Sequence, residues 1–178
     1  MLGEFLRPPA PRTEALADLF RRTGLPCQVA ESLERAHWQK LVWNIPFNGL
    51  GVASSAGLEA VLAGRLIPGA RLSNCLSTDQ LLDDPGWLRL IRELMSEVVT
   101  AARTLGYPIS EHFAEDRIAK TREMGAYKAS TVIDFERGLP LEVESLFVEP
   151  LRRALAAGVP MPRLEALSRL LEELDPGE

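Results

Sequence analysis

Residues Trp38–Leu50 read WQKLVWNIPFNGL. Lys40, Asn44 and Asn48 recur every four residues, and at about 100° per residue that spacing keeps them on one stripe of a helix. The other sides carry Trp38, Leu41, Val42, Trp43, Ile45, Phe47 and Leu50. A helix that is apolar on nearly every side belongs in a core. An ammonium and two carboxamides on such a helix need hydrogen-bonding neighbours, a polar cleft or a ligand. Pro46, between the two asparagines, has no N–H for the carbonyl of Val42 and predicts a kink beside the stripe. Two readings are open. Either the stripe is a site built into a core helix, or Lys40 snorkels to water while the asparagines satisfy a neighbouring loop.

With 178 residues, 46% of them hydrophobic, the chain is long enough for one sizeable core. A net charge of −5 without any basic stripe argues against a nucleic-acid partner. No apolar run approaches the roughly 20 residues of a membrane span. The opening MLGEFLRPP lacks the charged-then-apolar layout of a signal peptide, so a cytoplasmic protein is expected. Cys27 and Cys75 match no metal or redox spacing, and His37 and His112 have no His or Cys at ligand distance, so no metal is expected. No G-x-G-x-x-G follows a strand, and no phosphate loop is present.

Outward from the central stretch, Ser32 is placed to cap its helix, and Gly49 and Gly51 predict loosening into the small residues Ala53–Gly57. On the N-terminal side, Leu2–Leu6, a helix over Glu14–Arg22 capped by Thr13, and a brief strand within Leu25–Ala30 form a β–α–β miniature. Downstream, Leu58–Leu62 is a short helix. Pro85 behind Asp84 starts a long one through Leu94 and Val98 to Gly106. Ser110 starts another with Phe113, Ile118 and Met124 inward. Pro140 precedes a helix over Leu141–Ala157, and Pro162 opens the last. The expectation is one all-α domain of about six helices with a small α/β fringe at its start.

Three further polar residues neighbour apolar ones: Ser130 and Asp134 at i, i+4, and Glu142 on the expected inner side of the helix after Pro140. Glu142 also reads as a first-turn acid and Asp134 as a surface charge. Taken together with the stripe, they describe a pocket for a small polar anion. A Lys40 facing Glu142 would keep its proton and could donate it to a developing alkoxide.

These residues carry a resemblance. The run W-x-K-L-x-x-N-x-x-x-N at Trp38–Asn48 is similar to the opening of the helical C-terminal domain of ketopantoate reductases. So are Ser130 through Asp134, LPLEVES at Leu139–Ser145 and AAGVPMP at Ala156–Pro162. Thr121, Met124 and Tyr127 resemble the stretch before that serine, and TD-x-LL at Thr78–Leu82 and LMSEV at Leu94–Val98 resemble one subgroup.

The resemblance implies a helical domain like that of phosphogluconate dehydrogenases. It also implies reduction of 2-dehydropantoate to pantoate with NADPH, a step of pantothenate biosynthesis. By motif, Lys40 matches the proton donor, and Asn44, Asn48 and Ser130 match substrate-binding positions, the serine meeting the substrate carboxylate. Glu142 matches the glutamate facing lysine and cofactor. Residues 1–31 resemble the last helix and strand of a dinucleotide-binding domain, and 32–178 the helical domain.

Departures stand beside this. Leu58 and Tyr127 replace frequent asparagines, Phe147–Val148 replaces an N-G, and Ser54–Asn74 is long, so a related 2-keto acid is also compatible. Without a glycine-rich fingerprint the chain alone is not expected to bind NADPH, and a separate dinucleotide-binding partner is implied. Apolar surface uncovered at the fringe predicts a homodimer. The other reading is a non-catalytic helical association module derived from the family.

Overall fold

The computed structural model describes residues 1–177. Within them the chain folds into nine α-helices: α1 Pro11–Arg22, α2 Leu33–Ala53, α3 Leu58–Ala63, α4 Thr78–Asp83, α5 Pro85–Thr104, α6 Phe113–Arg122, α7 Ser130–Glu136, α8 Glu149–Ala156 and α9 Pro162–Leu174. A π-helical turn, Glu144–Val148, leads into α8. The architecture is all-α. The short α4 and α7 are additional to the expected set. Six or seven residues give little periodicity, and α4 is held by Gln80, whose Oε1 accepts from Ser77 N–H at 3.0 Å.

α2 is the central element, packed most extensively on α5 and then on α9 and α7. Ser32 caps it by accepting from Arg35 N–H at 3.1 Å. The helix passes through Pro46 and continues to Ala53. Loosening at Gly49 and Gly51 does not occur, and packing explains why. A Cβ on Gly49 would lie 2.6 Å from Leu167 Cδ2 and 2.8 Å from Phe147 Cε1, and one on Gly51 would lie 2.5 Å from Val132 Cγ2. The two glycines are seats for α9, the π turn and α7, not breaks in the helix.

Asp84 caps α5 as its position implies, accepting from Gly86 and Trp87 N–H at 2.8 and 3.1 Å. The first turn of α9 is capped from a distance: Arg163 and Leu164 N–H donate to the Glu97 carboxylate of α5 at 2.9 and 3.0 Å. The core is the mutual filling of these helices by fully buried Trp38, Ile45, Leu50, Ile91, Met95 and Leu167, with Phe147 among them. Met124 is an exception to its expected inward placement. It lies past the end of α6, in the turn before Gly125, and is 46% exposed.

The fringe is a single parallel bridge between Leu2 and Val29, with α1 running between them. Leu2 N–H donates to Gln28 O at 2.8 Å, and Ala30 N–H to Leu2 O at 2.7 Å. The brief strand expected over Leu25–Ala30 is reduced to this bridge, because no further strand flanks it among the described residues. α1 begins at Pro11, before the expected cap Thr13. Thr13 sits buried in the first turn, where its hydroxyl accepts from Ala10 N–H at 3.2 Å and lies 2.6 Å from Glu4 Oε1 as donor.

Glu4 gathers the fringe. Arg12 donates to its carboxylate (Nε–Oε1 2.8 Å), Thr13 does so as well, and Arg7 pairs with it at 3.3 Å. Hydrogen bonds first from Arg12 and then from Thr13 hold this carboxyl at about 2, against an ordinary value of 4.5. A depressed folded-state value means that the stabilisation is complete above the free carboxyl's titration and is lost as pH falls from there towards the folded value. Amide-exchange protection at Leu2 and Ala30 is therefore expected to drop as pH is lowered from about 4.5 to about 2, while that of α5 stays high. Protection at the bridge that is flat over this window would remove Glu4 from this role.

Candidate functional site

The stripe on α2 runs from water into the core. Lys40 is exposed, Asn44 is half-buried and Asn48 is 3% exposed. At 1.5 Å rise per residue this gradient spans about 12 Å. Asn48 at its deep end is fully engaged. Its Nδ2 donates to Asn44 O at 3.0 Å and its Oδ1 accepts from Thr131 N–H at 3.2 Å. That second bond satisfies an amide in the first turn of α7 that has no partner within its own helix. Leaving it unpaired in the core would cost about 1–3 kcal/mol. Asn48 thus ties the start of α7, and with it Ser130, to the central helix.

Lys40 and Asn44 line one cleft of about 550 Å³ together with Gln28, Trp43, Phe113 and Arg117. This volume suits a small molecule. The cleft's far wall is α6, fixed to α2 by a relay: Trp43 Nε1–H donates to Thr121 Oγ1 at 2.8 Å, and the Thr121 hydroxyl donates to Arg117 O at 2.7 Å. Trp43 is also stacked on Phe47 at 5.1 Å between ring centres and lies 6.3 Å from the ring of Tyr127. Among the described residues no carboxylate borders the cleft, and Lys40 and Arg117 bring positive charge to it.

A second cleft, about 530 Å³, lies on the other flank of Lys40 and is bordered by Phe5, Leu33, Glu34, His37 and Arg153. Arg153 stands 5.8 Å over the Trp38 ring. His37 is exposed, yet partial desolvation and then the positive charges of Arg153 and Lys40 push its imidazole below its ordinary value. Lys40 therefore stands between two openings, each with a further arginine.

Ser130 is exposed at the start of α7 and does not border the Lys40–Asn44 cleft. Glu142 is also exposed, which corrects its expected inner position. Regular helical geometry begins only after it, and the inward directions are taken by Val143 and Phe147. The expected partnership with Lys40 is not formed as an ion pair: among the described residues Lys128–Glu136, at 2.6 Å, is the one lysine pair. Asp134 is half-buried on α7. The structure thus brings together Lys40 and Asn44, links Ser130 to them through Asn48 and Thr131, and leaves Glu142 outside that cleft. It adds Arg117, Gln28, His37 and Arg153. Nothing local marks Arg117, Gln28 and Arg153 in the sequence, because their placement depends on how α6, α8 and the fringe pack on α2, whereas His37 lies three residues before Lys40 on α2 itself.

Among the described residues no cluster of His, Cys, Asp and Glu could hold a metal ion, and no helix is long and apolar enough to cross a membrane. The profile of the family described as Ketopantoate reductase PanE/ApbA C terminal matches residues 68–175, more than half of the chain. This chain belongs to the ketopantoate reductase C-terminal family. It is 32% identical over 164 residues to the 2-dehydropantoate 2-reductase of Nostoc sp., covering 92% of this chain and 45% of that protein.

Its fold matches the crystal structure of 2-dehydropantoate 2-reductase from Geobacter metallireducens at 36% identity and TM-score 0.79, over 96% of this chain and 51% of that one. The enzyme of the same name from Methylococcus capsulatus matches at 30% identity and TM-score 0.83, over 98% and 49%. The chain spans about half the length of the relatives it matches. These alignments cover 98% and 96% of the chain and so extend well beyond the region matched by the family profile.

Proposed function

We propose that this chain is the substrate-holding helical half of an NADPH-dependent 2-dehydropantoate 2-reductase, active when a dinucleotide-binding domain completes it. The observation that carries this reading is the cleft on which Lys40 and Asn44 converge, lined by Lys40 and Arg117 and by no carboxylate among the described residues, in a chain of this family. In the proposed reaction the Lys40 ammonium hydrogen-bonds the keto oxygen of the substrate. It stabilises the negative charge developing there and gives that oxygen its proton as the alcohol forms. Asn44 donates to the substrate beside it. Ser130 provides a hydroxyl from α7, and Asn48 acts by holding α7 against α2. Glu142, exposed and unpaired with Lys40, is left available to a cofactor domain.

The described residues do not themselves fit a dinucleotide. Their positive-φ glycines lie at helix ends and in loops, and none joins a strand to a helix around a pyrophosphate. Hydride supply is accordingly assigned to the other half. Residues 1–31 suit an edge of that half. A lone parallel bridge with a crossover helix is a fragment of a parallel sheet, and such sheets are covered on both faces. The same region exposes Phe5, Leu6, Leu16, Leu19, Phe20 and Leu25. This apolar surface also favours the second reading, an association module without catalysis in which two copies pair through the fringe.

Calorimetry on the isolated chain separates the readings. The reductase-half reading expects no tight NADPH binding and weak binding of ketopantoate that Lys40→Ala removes. Tight NADPH binding would contradict the assignment of the cofactor to the other half. No 2-keto-acid binding, together with a stable dimer by light scattering, would favour the association module.

A further inference from the structure

We infer that Thr78, on α4, is a positioning residue for the substrate site, because it holds the loop that presents Ser130. This deepens the proposed function and rests on it, in particular on Ser130 as a substrate-binding group. Residues 123–129 connect α6 to α7, and of these only Ala129 is buried. A segment with so few buried contacts opens easily unless hydrogen bonds tie it down. Thr78 supplies two such bonds. Its N–H donates to Tyr127 O at 2.9 Å, and its hydroxyl donates to Gly125 O at 2.9 Å. Tyr127 N–H closes the turn between them on Gly125 O at 2.8 Å.

The anchor itself is fixed. Thr78 is 2% exposed, and Leu81 and Leu82 of the same short helix are 1% exposed. The Thr78 N–H lies in the first turn of α4, where it has no partner within its own helix, and it is spent on this loop. Arg122, at the end of α6, ties the start of the connection to the same helix, donating to Leu82 O at 2.9 Å and pairing with Asp83 at 3.1 Å. On the far side of Ser130, Asn48 accepts from Thr131 N–H at 3.2 Å. Ser130 therefore sits between two attachments, α4 through Thr78 before it and α2 through Asn48 after it. A binding hydroxyl must be held within about 0.5 Å of its productive position, and an exposed loop reaches that precision only through such ties. Thr78 is buried, so it acts through Ser130 and not by touching the substrate.

The test titrates ketopantoate into the intact chain and follows the backbone amides of residues 130 and 131 by NMR, in the wild type, Thr78→Val, Ser130→Ala and the double variant. Thr78→Val keeps the backbone bond to Tyr127 and loses the hydroxyl bond to Gly125. It is expected to move both amides and to weaken ketopantoate binding by about 3- to 10-fold, while Thr78→Ser binds as the wild type does. In the Ser130→Ala background the same change is expected to alter binding by less than about twofold, because the group it positions is gone. A merely structural role would weaken both backgrounds alike. Arg122→Gln loosens the same attachment from the surface and is expected to act in the same Ser130-dependent way, so it carries the test if Thr78→Val does not fold. Wild-type affinity in Thr78→Val, failure of Thr78→Ser to restore binding, or equal losses with and without Ser130 would overturn the inference and leave the substrate site standing. No ketopantoate binding by the wild type, or binding untouched by Ser130→Ala, would overturn the reading of the site itself and this inference with it.

Discussion

In an enzyme assembled from this chain and a dinucleotide-binding half, Lys40→Ala is expected to lower kcat for ketopantoate reduction by about 100- to 10,000-fold, the range of a general acid. Lys40 is exposed at the mouth of the cleft and is in no ion pair among the described residues, so its removal leaves the core intact. The loss should therefore appear in kcat more than in KM, since the proton and the field at the keto oxygen matter most in the transition state. Lys40→Arg should not restore the rate, because a guanidinium keeps the charge but does not release a proton. Steady-state kinetics decide it. A Lys40→Ala enzyme within tenfold of wild type would mean that the proton comes from elsewhere.

The second large effect is on stability. Phe147 is fully buried in the π turn, close enough to α2 that a Cβ on Gly49 would lie 2.8 Å from its ring. Phe147→Ala is expected to cost about 3–5 kcal/mol, through lost burial and the cavity left between α2 and α9. For a chain of this size that lowers Tm by about 6–20 °C. The consequence extends past the core. The π turn begins two residues after Glu142, so loosening it frees the segment that presents the glutamate, and π turns occur preferentially at functional positions. Thermal and urea unfolding measure the loss. A change below about 1 kcal/mol would show that the ring is not packed as its burial implies.

The scaffold was legible wherever short-range chemistry sets it. The apolar belt of Trp38–Leu50 identified the central helix, Ser32 and Asp84 capped the helices they precede, and Pro162 opened the last one. Reading failed where a residue answers to a distant neighbour. Gly49 and Gly51 look like helix breakers but are packing seats, a role visible only with Leu167, Phe147 and Val132 in place. Thr13 looks like a cap but serves Glu4 from inside the helix. In the site, four-residue spacing placed Lys40, Asn44 and Asn48 on one stripe, yet it could not tell that Asn48 would be spent on Thr131. Arg117 was invisible, because α6 reaches the cleft only through its packing on α2, α4 and α5, including the Trp43–Thr121 bond.

This chain is proposed to supply the substrate half of a two-part reductase. The most direct test is NADPH oxidation by ketopantoate, measured with this chain, with the separately produced N-terminal half of the Nostoc relative, and with both together. Turnover is expected only in the mixture, saturating as the chain is titrated against the other half. Turnover by this chain alone, or an N-terminal half whose activity the chain does not raise although the two bind, would contradict it.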